Sequence, residues 1–367
     1  MMRSFWGNLT ILVAVVVGSG MTRPASAQDG YASYAGEIAT ADALVREKVD
    51  SENIPGYAVA VYASGRMVWA QGFGYSNVEL GSPVLPNSRF RIGSVAKTFT
   101  SSLLALLVRD GRLDLDAPVQ QYVPSFPVKN FPVTTRQLAG HLAGIRHYQG
   151  DENMNYQNYE TVLEGLEIFA DDPLLFEPET DYSYSSYGWN LLSAVLEGAA
   201  GEPFLEMMQR RVFGPLGMLH TGPDRIDSII PQRTGYYVQR DGAVLNARAV
   251  DNSYKWAGGG FLSSVEDLVR YGAAHLAPGY LDEESLALLQ TSQRLRSGEQ
   301  TDYGMGWRVW TTDSGRRAVG HTGGSVGGTT AMVLFPEEGV VVAVIANMSG
   351  ASRQAQTALA IGELFVR

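Results

Sequence analysis

The stretch FRIGSVAKTFTSSLLALL, residues 90–107, places a serine and a lysine three positions apart at the start of an apolar helix. Apolar residues recur at Phe99 and Leu103, which is the spacing of one helical face. At positions i and i+3, the side chains of Ser94 and Lys97 project from the same face, with Cβ atoms about 5–6 Å apart. The pair is therefore either a nucleophile with its proton acceptor, or a capping serine followed by a solvated lysine.

The start of a helix suits a nucleophile. Ser94 in the first turn would add its own N–H to the donors that the helix leaves unpaired, and such donors can hold an oxyanion. The positive end of the helix dipole disfavours a charged Lys97, so this lysine could be neutral enough to accept a proton. The chain has only four lysines, at positions 48, 97, 129 and 255, so its other basic positions are mostly arginine. Retention of a lysine here keeps a group that can lose its proton.

The remaining sequence predicts strands at both ends and helices between them. YAVAVYASGRMVWAQGFGY (57–75) has two β-rich runs joined at Ser64-Gly65, a hairpin signal, and three more runs follow Arg317, within RAVGHTGG, TTAMVLFP and GVVVAVIANM. Helices are predicted within residues 134–144, 186–201, 202–218, 265–276 and 352–365, the fourth opened by a capping box at Ser263. We expect an α/β (α+β) fold with one antiparallel sheet built from both chain ends.

Two further segments carry candidate site residues. In DYSYSSYGWNLL (181–192), Tyr184 precedes a helix and could move a proton between nucleophile and leaving group, although a tyrosine-rich capping loop is the plain alternative. In GHTGGSVGG (320–328), glycines along a strand edge would let a substrate backbone approach and pair with the chain. A glycine-rich bend is the alternative for this second segment.

The three elements S-x-x-K, Y-S-x and H-T-G occur in this order, and with them the chain resembles the serine β-lactamase and penicillin-binding DD-peptidase superfamily, particularly its class C-like branch. Supporting matches are VTTRQLAGHLAGI, PLGMLHT, WAGGGFLSSVEDLVRY and residues 321–347. VDNSYKWAGGGFLSSVEDL and LDLDAPVQQYVPSFP are most similar to the mitochondrial serine β-lactamase-like branch and its bacterial relatives. The resemblance covers nearly all of residues 28–367. It implies the β-lactamase/transpeptidase-like fold, with an inserted, mainly helical domain.

Position by position, the resemblance implies the following roles. Ser94 is the acylated nucleophile, Lys97 its proton partner, Tyr184 the general base or proton shuttle, and His321 the counterpart of the usual lysine in K-T-G. The backbone N–H groups of Ser94 and Gly324 would form the oxyanion hole. The remaining substrate-binding positions are Ser186, Thr322 and Gly323.

Two departures from the family pattern bear on specificity. Ser186 stands where Y-S-N has asparagine, which removes the carboxamide that commonly binds a substrate amide. His321 replaces the lysine of K-T-G, as in some DD-peptidases and esterases, and an unperturbed histidine would change charge near pH 6.5. Together they argue against efficient β-lactam turnover, and no E-x-x-L-N-like segment supplies a deacylating glutamate.

Several other chemistries are disfavoured by the sequence. Gly323 to Gly327 fits the G-x-S-x-G elbow of α/β hydrolases, but that fold needs its histidine after the serine, and all five histidines precede Ser325. His141 and His147 lack zinc-like spacing and are expected to be structural, so neither a metal nor a cofactor is predicted. Lys255, beside the glycine run 258–260, is expected to be a surface-loop lysine, with contact to the substrate as the alternative. A formal net charge of −10 argues against nucleic-acid binding.

The N-terminus has the pattern of a secretory signal peptide. Arg3 precedes an apolar core, and Ala25-Ser26-Ala27 is a small-x-small cleavage signal, with an uncleaved anchor as the alternative. We expect cleavage after Ala27, export to the periplasm or beyond, and no stable membrane anchor afterwards. Without cysteines, the hydrophobic core alone would hold the fold. The expected organisation is a signal peptide over 1–27 and one hydrolase domain over 28–367, with its sheet part at about 28–125 and 300–367 and its helical insert at about 126–299.

The expected function is hydrolysis of a small or peptide-like substrate through an acyl-enzyme. Peptidase or amidase action ranks first, because a strand with an H-T-G edge can pair with a peptide. Esterase action ranks second, followed by a weak β-lactamase or penicillin-binding protein. A self-assembling scaffold without catalysis is the alternative from another class. The sequence predicts no oligomeric state.

Overall fold

The computed structural model describes residues 33–367, and it is built around one seven-stranded antiparallel sheet. The strand order in this sheet is β3-β2-β1-β12-β11-β10-β9. Its strands are β1 (Gly56–Ala63), β2 (Arg66–Asn77), β3 (Ser82–Pro83), β9 (Arg308–Thr311), β10 (Arg317–Ser325), β11 (Gly328–Phe335) and β12 (Val340–Ala346). Strands β1 and β12 pair directly, so the two chain ends meet in the middle of the sheet. This confirms the predicted α/β fold class.

Five short strands lie between these two groups and form two small sheets. The first has the order β4-β8-β5, from β4 (Phe90–Arg91), β5 (Gly222–Pro223) and β8 (Phe261–Ser263). The second is the hairpin of β6 (Tyr237–Arg240) and β7 (Ala243–Asn246). The hairpin turns at Asp241-Gly242, where both residues have positive φ. A D-G pair between β-prone runs is a strong hairpin signal, and this hairpin is not among the predicted strands.

The described helices are α1 (Ala35–Ser51), α2 (Ala96–Arg109), α3 (Thr135–Ala139), α4 (Ser186–Ala200), α5 (Phe204–Met207), α6 (Trp256–Gly259), α7 (Val265–Ala273), α8 (Glu283–Gln290) and α9 (Gln354–Phe365). Three predicted helices differ from expectation. The segment 134–144 is helical only as far as Ala139, and α5 continues as one π-helical stretch, Met208–Phe213. The helix α7 begins after Ser264, whose hydroxyl accepts from the Asp267 N–H, so its cap lies one residue beyond the predicted box.

The sheet separates two hydrophobic layers. Helices α1 and α9 cover one face, with α9 against β11 and β12, and the cluster on this face includes alternate residues of β1 such as Val59 and Val61. The other face, which includes Ala58 and Ala60, packs against a much larger cluster formed with α2, α4 and α7. Both faces of the central strands are therefore buried, which explains why β12 reads as a continuous apolar run.

The predicted signal peptide, 1–27, lies outside the described residues. Within residues 33–367, none of the helices is long and apolar enough to cross a membrane.

Candidate active site

Ser94 lies where the chain passes from β4 into α2. It is the middle residue of a 3₁₀ turn, Gly93–Val95, that runs directly into the helix. Gly93 has a φ of +50°, and a Cβ at this position would lie 2.6 Å from the carbonyl oxygen of Gly324 on β10. Only glycine allows this approach without displacement. The turn that carries Ser94 is therefore held tightly against β10.

Lys97 is fully buried and points back at the serine. Its Nζ lies 3.1 Å from Ser94 Oγ, 3.2 Å from Ser186 Oγ and 2.7 Å from the carbonyl oxygen of Gly258. Burial lowers the pKa of Lys97 well below its usual value, and the positive charges of Arg308 and Lys255 lower it further. A neutral amine would still donate to the Gly258 carbonyl, and its lone pair would be available to a serine hydroxyl.

Tyr184 lies next to Lys97. Its ring lies 5.0 Å from Lys97 Nζ, and its side chain neighbours Ser94. Burial raises the pKa of Tyr184 above its usual value, so the phenol keeps its proton at neutral pH. The following residue, Ser185, is the N-cap of α4 and accepts from the Gly188 N–H at 2.9 Å. The cap fixes the turn from which Tyr184 projects.

His321 is held in its neutral form. Its Nδ1 lies 2.5 Å from the carbonyl oxygen of Thr322, so Nδ1 carries the hydrogen, and Nε2 accepts from the Tyr303 hydroxyl at 2.9 Å. Only 1% of the residue is exposed. Burial, together with Lys97 and Arg308, lowers the pKa of His321 well below 6.5. The expectation that His321 changes charge near neutral pH is therefore wrong.

The predicted strand edge lies beside Ser94. A Cβ at Gly323 would lie 1.9 Å from the carbonyl oxygen of Ile92 and 3.1 Å from the Ser94 nitrogen, so this glycine is required by the close approach. A Cβ at Gly93 would lie 2.8 Å from the Gly324 nitrogen. The backbone around Ser94 therefore lies close to the backbone around Gly324. Thr322 precedes Gly323 and Gly324 on β10 and is half-buried.

Ser186 is the first residue of α4 and is buried under the lysine. Its hydroxyl lies 3.2 Å from Lys97 Nζ and neighbours Tyr148, another buried phenol with a raised pKa. Only 3% of Ser186 is exposed. In this structure its hydroxyl therefore contacts the catalytic-site candidate Lys97.

His141 and His147, which the sequence analysis expected to be structural, stabilise the start of α4. His141 Nδ1 accepts from the Ser185 N–H, and His147 Nδ1 accepts from the Ser186 N–H, both at 3.0 Å. The His141 ring lies against Tyr184, with ring centroids 4.2 Å apart. Burial and the nearby Lys97 lower the pKa of both histidines, to about 4 for His147, which preserves the acceptor at Nδ1. Sequence spacing gives no signal for this arrangement.

Lys255 and Arg308 also belong to the surroundings of the site. Lys255 is not a surface lysine: it is 6% exposed, and it donates to the Asn153 carbonyl at 3.0 Å. Burial and Arg91 lower the pKa of Lys255 to about 7. Arg308, on β9, lies over the rings of Tyr184 and Tyr303 at 5.7 and 5.8 Å. Its buried Nε has no partner among residues 33–367.

Ser325 takes no part in this cluster. It ends β10, and its hydroxyl donates to the Gly328 carbonyl at 3.3 Å across the turn into β11. No group of three or more His, Cys, Asp or Glu side chains within residues 33–367 is placed to hold a metal ion.

A buried lysine and a tyrosine facing a helix-initiating serine, beside a glycine-edged strand, define the class of serine hydrolases with the β-lactamase/transpeptidase-like fold. The chain belongs to the Beta-lactamase family, whose profile matches residues 41–364. As expected of that family, it is a serine hydrolase.

The chain is similar to two known proteins over most of its length, and a third shares its fold. It is 31% identical to the human mitochondrial serine beta-lactamase-like protein LACTB, over 86% of this chain and 77% of the relative. The octameric penicillin-binding protein homologue from Pyrococcus abyssi superposes with a TM-score of 0.77 at 27% identity, covering 88% of this chain and 76% of that one. A D-stereospecific amidohydrolase from Streptomyces sp. shares the fold, with a TM-score of 0.75 at 24% identity, over 89% and 98% of the two chains.

Proposed function

We propose that the protein hydrolyses amide bonds of peptide-like substrates through an acyl-enzyme on Ser94. The observation that carries this proposal is the contact between Ser94 Oγ and Lys97 Nζ, a lysine that burial makes a proton acceptor. A capping serine with a solvated lysine would leave the amine in water, whereas here it is fully buried.

Acylation begins when Ser94 Oγ adds to the substrate carbonyl carbon. Its proton passes to neutral Lys97, directly or by way of the Tyr184 hydroxyl. The carbonyl oxygen becomes an oxyanion, held by the N–H groups of Ser94 and Gly324. As the C–N bond breaks, the leaving amine takes a proton from Tyr184, which is replenished from Lys97. Water then adds to the acyl-enzyme, and the same groups return the proton to Ser94.

The free edge of β10 favours a peptide over a simple ester. Strand β9 pairs with β10 only as far as Gly320, whereas β11 pairs with it as far as Ser325. Residues 321–325 therefore have a neighbouring strand on one side only, and an extended substrate backbone can pair with the other. Thr322 and Gly323 lie within this edge, which supports their assignment to substrate binding.

The names of similar proteins agree with amide chemistry: one is a penicillin-binding protein homologue and another a D-stereospecific amidohydrolase. The domain organisation remains a prediction, as does export after removal of residues 1–27. N-terminal sequencing of the natural protein tests the cleavage, and a retained Met1 would contradict it.

The proposal is tested by covalent labelling and a substrate screen. We expect a fluorophosphonate probe to label the wild-type protein, Ser94→Ala to abolish labelling, and Ser325→Ala to retain most of it. Loss of labelling in Ser325→Ala, or persistence in Ser94→Ala, would overturn the assignment. A screen over D-amino-acid peptides, short-chain esters and a chromogenic cephalosporin should give the highest kcat/KM for a peptide. Turnover confined to esters would replace peptidase by esterase action.

A further inference from the structure

A cavity of about 630 Å³ opens at Gly324, and neither Lys97 nor Tyr184 lines it. It is bounded by the end of β10, at Gly324 and Ser325, by Val326 in the following turn, and by the β6–β7 hairpin. A separate cavity of about 410 Å³ also reaches Gly324, from the side of Arg308 and Thr322. The proposed oxyanion amide therefore lies where the two cavities come together.

The position of the proton donor assigns each cavity to one part of the substrate. This step rests on the proposed function. Tyr184, which would protonate the leaving group, lies toward the beginning of the exposed edge of β10, with its ring 6.2 Å from that of His321. A carbonyl held at Gly324 then directs its leaving group toward His321 and Arg308. The acyl part extends the other way, past Ser325 and into the larger cavity.

The charge of this acyl-side cavity is opposite to that of the protein. The chain carries a formal net charge of −10, yet the only charged residues that line the cavity are Arg240 and Arg248. Arg240 is exposed near the tip of the hairpin and has no carboxylate partner among residues 33–367. Arg248 has one, Asp151, at the long distance of 4.0 Å, with both side chains largely exposed. Two guanidinium groups are thus available to a ligand.

From this arrangement we propose that the enzyme selects substrates whose acyl part carries a carboxylate, which Arg240 and Arg248 bind. Guanidinium groups suit this role, because their planar fork matches the two oxygens of a carboxylate. The lining also includes Val238 and Met154, which contact the carbon chain that separates the carboxylate from the reacting carbonyl. Dicarboxylic acyl groups and peptides with an acidic residue on the acyl side fit this description.

The test uses two boronic acids that differ in one charge. Boron stands in for the reacting carbonyl carbon and the alkyl chain for the acyl part, so 4-carboxybutylboronic acid and pentylboronic acid compare an acidic with a neutral acyl group. Protection of Ser94 from the fluorophosphonate probe gives a dissociation constant for each. We expect the wild-type protein to prefer the carboxylate by roughly 5–10-fold at low salt, since an exposed ion pair contributes up to about fivefold in affinity. Added salt should reduce this preference.

Variants locate the preference within the site. Arg240→Ala with Arg248→Ala should reduce it to less than about twofold without weakening the binding of pentylboronic acid, in line with the exposed-pair magnitude. Arg46→Ala with Arg367→Ala, which removes two exposed arginines outside both cavities, should leave it unchanged and serves as the charge-matched control. A preference that survives the first double variant, or that is lost in Arg308→Ala instead, would overturn the proposal. Equal wild-type affinities would also overturn it. Undiminished labelling of Ser94→Ala would instead refute the nucleophile, and the proposal with it.

Discussion

Replacement of Lys97 by arginine separates a positive charge from a proton acceptor. Arginine keeps the charge but does not release its proton in proteins, whereas burial and nearby positive charges lower the pKa of Lys97 toward the range where an amine can act as a base. Loss of a general base costs about 10²–10⁴-fold in rate, or about 3–5 kcal/mol in the activation barrier. The lysine amine makes the only direct contact of a basic nitrogen with Ser94 Oγ within the described residues, so we expect the full range.

The assay is the second-order rate constant for labelling of Ser94 by a fluorophosphonate, measured from pH 5 to 10. In the wild-type protein the rate should rise with pH as Lys97 loses its proton, and level off below the ordinary lysine pKa of about 10.4. The Lys97→Arg variant should be slow and show no such rise. Lys97→Met, which has no charge, controls for charge and should be equally slow. Near wild-type rates in Lys97→Arg at neutral pH would refute the base assignment.

Three further outcomes follow from the geometry. Gly93→Ala should destabilise the protein by about 1–3 kcal/mol in urea unfolding and slow labelling, because a side chain at φ +50° meets the Gly324 carbonyl; unchanged stability would contradict the close approach. Across pH 5 to 8, the ratio of kcat/KM for anionic and neutral substrates should show no step from His321, and its ring signals in NMR spectra should not titrate, because it stays neutral beside Tyr303. The free energy of unfolding should fall as pH drops below 6.5. Burial lowers the pKa of His275 to about 4 in the folded protein, so the unfolded chain binds the proton first. A urea midpoint that rises as the pH is lowered to 4.5 would contradict this.

Much of the fold could be predicted because local patterns carry it. Uninterrupted apolar runs such as β12 indicate strands buried on both faces. In α2, apolar residues recur every three to four positions, which indicates a helix packed against a core. The β6–β7 hairpin had a clear signal at Asp241-Gly242, although it is not among the predicted strands. The early end of α3 had a weaker sequence signal, the glycine at position 140 directly after Ala139. In the structure, His141 then adopts a positive φ.

The sequence by itself determined the order of the chemical groups: a serine at a helix start, a lysine one turn later, a tyrosine before another helix and a glycine-rich strand edge. Those features are local, because helical spacing and turn chemistry act over a few residues. The protonation states were decided only by tertiary structure. Burial, together with Lys97 and Arg308, lowers the pKa of His321, and the pKa of Lys97 is lowered because distant segments exclude water from it. Desolvation depends on everything that packs around a group, and one sequence does not reveal which distant segments will do so.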